Sequence, residues 1–370
     1  MMRNSILLLS ICGLLVFSSC KDKDDKPKYS IPQTYNFTNA NLSTTSIRLS
    51  MLAEMTAYIR TTHSNTDAPI LNVQKLMNMY ENINNMFGDS VLNNSGIQLK
   101  DKTSNAFGFR SRLELSFNDA IIASNNAAVK PTETTAYSGY AGKLISGTRY
   151  ILVDSTGIEY KEVLEKGIMG ALFYAEATRI LNTINSYDNQ NKVNGATAQE
   201  HAWDEAFGYF GVPVDFPTNL TGLRNWGSYC NTVSKALGGS TTLNSTIMNA
   251  WIAGRAAISN QDDATRDAQK AIILKSWEKV CAARFISYVK GAKANIAAPA
   301  TYHHNLSEAI GFIDAFRYNN NKSISDADLD LLKNYFNTGN SINLYKVNTT
   351  NLDNAINKMA YIFNLDASLL

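Results

Sequence analysis

Apolar residues recur at steps of three and four along most of the chain, the spacing that gathers them on one face of an α-helix. Across residues 42–62, Ile47, Met51, Met55, Tyr58 and Ile59 keep this step behind Ser43 and Thr44, whose hydroxyls suit a helix start. The same period predicts helices over 73–87, 107–122, 160–187, 247–258, 268–296, 306–318, 327–336 and 352–363. Ser325-x-x-Asp328 has the form of a capping box, with Asp in place of the usual Glu or Gln. Strand patterning is confined to 150–153, the turn Asp154-Ser155-Thr156-Gly157, and 158–160, which predicts one small β-hairpin on a helical body. Gly211-Val212-Pro213-Val214-Asp215-Phe216-Pro217 is the clearest interior break and separates two groups of helices.

One stretch occurs twice. His201-Ala202-Trp203-Asp204-Glu205-Ala206-Phe207-Gly208-Tyr209-Phe210 aligns without gaps on His304-Asn305-Leu306-Ser307-Glu308-Ala309-Ile310-Gly311-Phe312-Ile313, with His, Glu, Ala and Gly coinciding. Each copy follows a long predicted helix, so the expected architecture is an all-α, multi-helix bundle of two related halves carrying the one hairpin. Helical His at i and Glu at i+4 share a face. Two such helices packed together would offer two imidazoles and two carboxylates, a donor set suited to iron, manganese or zinc. Thr197-x-x-Glu200 reads as a capping box that sets His201 in an opening turn, where the positive helix end favours its neutral form. Asn305-x-x-Glu308 reads as a cap of its own, which would leave His304 just outside the second helix. His201, Asp204, Glu205, His304 and Glu308 are therefore the candidate metal ligands. The competing reading is structural: Glu205 and Glu308 cap a helix or pair with an arginine such as Arg179, Arg284 or Arg317, while Gly208 and Gly311 let helices approach. Trp203, Phe207, Tyr209 and Phe210 read as core, and Glu54, Glu114 and Glu176 as satisfied polar groups on core helices.

The chain's ends and charge bear on where it works. Arg3 precedes an apolar stretch over 6–17 that is too short to span a bilayer, and Ser18-Ser19-Cys20 follows. This is the pattern of a signal peptide, and it resembles the lipobox of bacterial lipoproteins, in which Cys20 would be acylated and become the mature N-terminus. Lys21-Asp22-Lys23-Asp24-Asp25-Lys26-Pro27-Lys28 is too charged to bury a core and reads as a flexible tether continuing to residue 34. Ser-Cys-Lys-Asp also resembles the start that sends lipoproteins of Bacteroidetes-like bacteria to the outer face of the outer membrane, the periplasmic face being the alternative. The whole chain carries 34 basic and 32 acidic residues, with no long basic run, so nucleic acid is not an expected partner. Cys230 and Cys281 remain after the signal, and the sequence allows either one bridge between them or, since both lie in apolar-periodic segments, two buried thiols.

There is no His-Glu-x-x-His, phosphate-binding glycine loop, Gly-x-Ser-x-Gly or Cys-x-x-Cys. Lys166-Gly167-Ile168-Met169-Gly170-Ala171 and His201 through Tyr209 resemble the hallmarks of an uncharacterised family of Bacteroidetes-type lipoproteins, from about Tyr35 to the C-terminus. More distantly, two helical halves with a His and an acid on a helix resemble the imelysin-like proteins, exported all-helical proteins linked to iron uptake and once assigned as metallopeptidases. That motif has Gly two residues before the His and Glu three residues after it. Here Gln199 and Asp204 stand at those places, so the resemblance carries only to His201 and Asp204. It implies an outer-membrane lipoprotein that holds iron or another divalent metal for an uptake receptor, by coordination rather than turnover. The alternatives are a metallopeptidase-like protein and a partner-binding scaffold without metal.

Overall fold

Helix-period patterning decides the architecture of the computed structural model, which describes residues 29–64, 69–239, 242–339 and 341–370. The expected signal peptide, Cys20 and the tether as far as Lys28 lie outside the described residues. In chain order the helices are α1 (Ser43–Arg60), α2 (Val73–Glu81), α3 (Ser90–Asn93), α4 (Phe109–Val129), α5 (Tyr160–Ile168), α6 (Ala175–Asn182) and α7 (Ala198–Phe210). They continue with α8 (Asn225–Leu237), α9 (Leu243–Ser259), α10 (Asp263–Ala294), α11 (Pro299–Phe316), α12 (Asp326–Asn334) and α13 (Thr349–Phe363). The fold is all-α with a small hairpin, as the periodicity predicts. Two further strand pairs, Lys192–Val193 with Ala196–Thr197 and Asn337–Thr338 with Ser341–Ile342, are only two residues long on each side.

The boundaries depart from the periodicity where a local group overrides it. The helix expected over 73–87 stops at Glu81 because Asn82 turns left-handed and spends its side-chain amide on the Leu92 and Ile97 carbonyls. The long helix expected over 160–187 is interrupted by a buried π-helical turn, Met169–Tyr174. There Gly170 lies so close to α11 that a Cβ would stand 3.1 Å from the Ala315 Cα. The helix expected from residue 306 begins at Pro299, with proline in its first turn, so His304 lies inside α11 rather than before it. Helix α8 escapes the periodicity because its stripe, Trp226, Cys230 and Val233, is short and set among polar residues.

The hairpin is displaced by one arm. β1 (Gly142–Ser146) pairs antiparallel with β2 (Arg149–Val153) around Gly147, which has φ +58. The expected second arm makes only the bridge Val153 to Glu159 before the chain enters α5. The Asp154 carboxylate explains this, for it accepts from the Thr156 and Ile158 amides and curls 154–158 into a tight loop.

Residues Ile31–Leu370 make up one unit, and Ile31 already packs on its core. At the centre all four tryptophans are buried, Trp203 against Trp251 and Trp226 against Trp277 in edge-to-face pairs with ring centres 5.5 and 5.7 Å apart. Phe207, Tyr209 and Phe210 are buried with them. Cys230 and Cys281 are free thiols inside this core. No helix among the described residues is long and apolar enough to cross a membrane.

Candidate functional site

The two copies of the repeated stretch occupy α7 and α11, and each uses its glycine for close packing. A Cβ at Gly208 would lie 2.1 Å from Thr45 Oγ1 on α1, and one at Gly311 would lie 2.3 Å from Lys166 Cβ on α5. Their polar groups go to different places. On α7 the capping box forms as expected between Thr197 and Glu200. Asp204, fully buried, accepts from Arg255 Nε and Tyr35 Oη, each at 2.8 Å, and keeps Oδ2 without a hydrogen-bond partner. Glu205 takes the Tyr209 hydroxyl at 3.2 Å and stands 3.8 Å from Lys102. His201 is half-buried beside them.

The expected meeting of His201 with His304 therefore does not occur: Asp204 and Glu205 are held by Arg255, Tyr35 and Lys102, while His304 and Glu308 face α5. Nor does either glutamate pair with Arg179, Arg284 or Arg317. Arg179 holds Glu176, Arg317 reaches Asp330, and Arg284 lies over the Tyr288 ring. Glu54 caps the loop at Gly88 and Asp89, and Glu114 pairs with Lys100.

The chemistry concentrates around the second copy. The loop before α5 is docked onto α11 by three of its residues. His303 Nδ1 meets the Gly157 carbonyl at 2.9 Å, and Ser307 Oγ accepts from the Glu159 amide at 2.9 Å. His304 Nδ1 meets Glu159 Oε2 at 2.8 Å. Gly157 is needed at this junction. Its φ is +89, and a Cβ would fall 2.3 Å from the His303 ring. Glu159, at the end of the loop, and Glu162, in the first turn of α5, thus come to one imidazole, with Glu162 Oε1 3.3 Å from His304 Nδ1. On the other edge of that ring Glu308 Oε1 lies 3.8 Å from Nε2. From the end of α1, His63 directs Nε2 to within 3.9 Å of Glu159 Oε1 and has no hydrogen bond there. A cavity of about 520 Å³ is lined by His63, Glu159, His304 and Glu308 and by Thr148, Arg149 and Tyr150 of the hairpin.

Two lysines sit in the same cluster. Lys161 contacts Glu162 and lies 3.2 Å from Glu165; Lys166 lies 2.9, 3.1 and 3.2 Å from Glu162, Glu165 and Glu308. The protonation balance follows from burial set against these charges. Burial would raise the Glu162 carboxyl, but Lys166 and Lys161 hold it well below the usual carboxylate range. Burial, then the Glu162 charge, push Glu308 up to about 7 despite Lys166. Burial would lower the His304 imidazole, yet the Glu159, Glu162 and Glu308 carboxylates raise it overall. Burial dominates at His63 and lowers it to about 4, so its ring is neutral at pH 7.

Among the described residues, Glu159, Glu162 and His304 are the one group of three whose donor atoms lie close enough to share a metal ion, all within 4.8 Å of one another. Of these contacts, His304 Nδ1 to Glu159 is a hydrogen bond of 2.8 Å and His304 Nδ1 to Glu162 an ion pair of 3.3 Å. A family model described as Domain of unknown function (DUF4856) matches residues 32–365. The chain belongs to the DUF4856 family. No curated protein and no solved structure matches it. The matched span of this DUF4856 chain includes every residue of the cluster, from His63 to Glu308.

Proposed function

We propose that the protein is an exported lipoprotein, anchored in the outer membrane through Cys20, that captures a divalent transition-metal ion for an uptake system. Glu159, Glu162 and His304 are the inner ligands in this reading, with His63 and Glu308 at the edge of the shell. The observation that carries it is the placing of Glu159 between two imidazoles, 2.8 Å from His304 and 3.9 Å from His63, in the lining of a cavity.

Charge supports the same reading. Four carboxylates, Glu159, Glu162, Glu165 and Glu308, face two ammonium groups, Lys161 and Lys166. A dication offsets the two negative charges left over, and its binding would expel the protons that His304 and Glu308 hold when the site is empty. Mixed imidazole and carboxylate donors suit iron(II), manganese(II) and zinc(II) rather than soft cations. The short Ser-Ser-Cys start and the distant likeness to imelysin-like proteins favour capture and presentation over catalysis.

Elemental analysis of the chain purified without chelators, followed by calorimetry with iron(II), manganese(II) and zinc(II), tests this. The expected result is one saturable site whose affinity falls at least tenfold in both His304→Ala and Glu159→Gln, while His201→Ala leaves it unchanged. Absence of saturable binding by any of the three ions would leave the cluster as an ion-pair network that ties α5 to α11.

A further inference from the structure

A second cavity, of about 510 Å³, lies in the trough between α4, α5 and α11 and borders the metal cluster at Glu162 and Lys166. Its size falls in the range of small-ligand sites. Close contacts set the register of the trough. Helix α11 runs alongside α5 in the same direction, with Ser307 at the level of Glu159, Gly311 at Lys166 and Ala315 at Gly170. Helix α4 runs the other way, with Phe109 against Gly167 and Asp119 near Tyr160.

The two ends of the trough carry opposite charge. At the Tyr160 end, Asp119 and Asp154 line the cavity together with the Tyr160 ring. Asp154 directs Oδ1 to the loop amides, and it lines the cavity. At the Tyr318 end stand Arg112, Lys333 and Asp314, the last two paired at 2.8 Å, so this end has one cation in excess. Between the ends the wall presents Leu113, Val163, Ile310 and Ala315, together with the mutually paired Glu162 and Lys166. Arg112 and Asp119 lie seven residues apart on α4, which is about 10 Å along the helix axis.

We propose that this trough binds a short extended peptide, about three apolar residues long, through both of its charged termini. Its ammonium group lies between Asp119 and Asp154, its carboxylate lies against Arg112 and Lys333, and its side chains rest on the apolar residues of the wall. The arrangement selects for a zwitterion. A free fatty acid would leave the acidic end without a cation, and an amine without a carboxylate would leave Arg112 without an anion, so each forgoes one of the two charge matches. Asp119, Asp154, Arg112 and Lys333, which meet the peptide termini, lie outside the metal cluster, and Glu162 and Lys166, which line this cavity and belong to the cluster, serve neither terminus.

Calorimetry with the chain and Leu-Leu-Leu in the presence of a chelator tests it, alongside the N-acetylated and the C-amidated tripeptide. Asp119 and Arg112 are exposed positions on α4, so Asp119→Asn and Arg112→Gln leave the core untouched. Saturable binding of Leu-Leu-Leu is expected. Acetylation should weaken it at least tenfold in the parent protein and little further in Asp119→Asn, and amidation should do the same with respect to Arg112→Gln. Absence of saturable binding would overturn the proposal, as would affinities indifferent to both end caps.

Discussion

Glu159 Oε2 lies 2.8 Å from His304 Nδ1, and this contact joins the loop that follows the hairpin to the second turn of α11. Every other charge in the cluster is arranged around it. The imidazole presents its opposite edge to Glu308, and Lys166 reaches both Glu162 and Glu308 across the α5–α11 interface. A buried network of this kind orients side chains strongly while adding little to net stability, because each charge surrenders its hydration on folding.

The pH dependence of stability should expose that balance. Glu308 titrates near 7 when folded, against about 4.3 for an ordinary Glu. Between those values the native state binds more protons than the unfolded chain, so stability falls as pH rises. His304, whose folded pKa is also raised, adds to this in the same direction, its contribution being lost as pH rises through the folded value. Denaturant titrations with chelator present should show Glu308→Gln close to the parent at pH 5 and more stable by about 1–3 kcal/mol at pH 8. A variant less stable than the parent at pH 8 would show that the charged form of Glu308 is the favoured one.

Arg255 provides a second test, at the contact of α9 with α7. It is almost fully buried on α9 and serves Glu200 at 2.7 Å and Asp204 at 2.8 Å, both on α7. Arg255→Met keeps much of the volume but leaves two buried carboxylates without their cation, so a loss of about 3–5 kcal/mol in urea unfolding is expected. Asp204→Asn, which retains an acceptor for Arg255 and Tyr35, should cost less.

The all-α class was legible because an apolar period of three to four residues survives wherever a helix has one buried face, and α1, α9 and α10 show it. The displaced hairpin was not legible, since Asp154 decides between a strand turn and a tight loop through hydrogen bonds to backbone amides, which leave no periodic trace. In the cluster, His304 and Glu308 were readable from their four-residue spacing. Glu159, Glu162 and His63 were not, because the loop, the start of α5 and the end of α1 bring them together across long stretches of chain. The repeat drew equal notice to His201, yet what the copies share in the structure is a glycine at a helix contact. The tandem His303-His304 was the available signal for the docked loop. Two adjacent histidines on a helix point to different sides, and here one grips Gly157 and the other Glu159.

The proposed anchoring through Cys20 has its own test. Cys20→Ala should move the protein from the detergent-rich to the aqueous phase in a cloud-point extraction of cells and should abolish labelling by a clickable palmitate analogue. The parent chain should label. Retention of Cys20→Ala in the detergent phase, or a parent chain that does not label, would overturn the proposed anchor.

Helix approach at the two glycines should differ in tolerance, and the difference follows from what each would meet. A methyl group at Gly311 would strike Lys166 Cβ at 2.3 Å and Cγ at 3.0 Å. Those atoms belong to a side chain that is itself buried and held by Glu162, Glu165 and Glu308, so it cannot swing aside without breaking the cluster. At Gly208 the clash is chiefly with the Thr45 side chain, which a second substitution can shorten. Gly311→Ala should therefore cost about 1–3 kcal/mol and also weaken binding at the His304 site, since displacing Lys166 disturbs Glu162 and Glu308. Gly208→Ala should lose a similar amount of stability, regain part of it in combination with Thr45→Ala, and leave ion binding unaltered. Denaturant unfolding and calorimetry of the three variants read both effects, and ion binding that survives Gly311→Ala at parent affinity would show that Lys166 does not position the ligands.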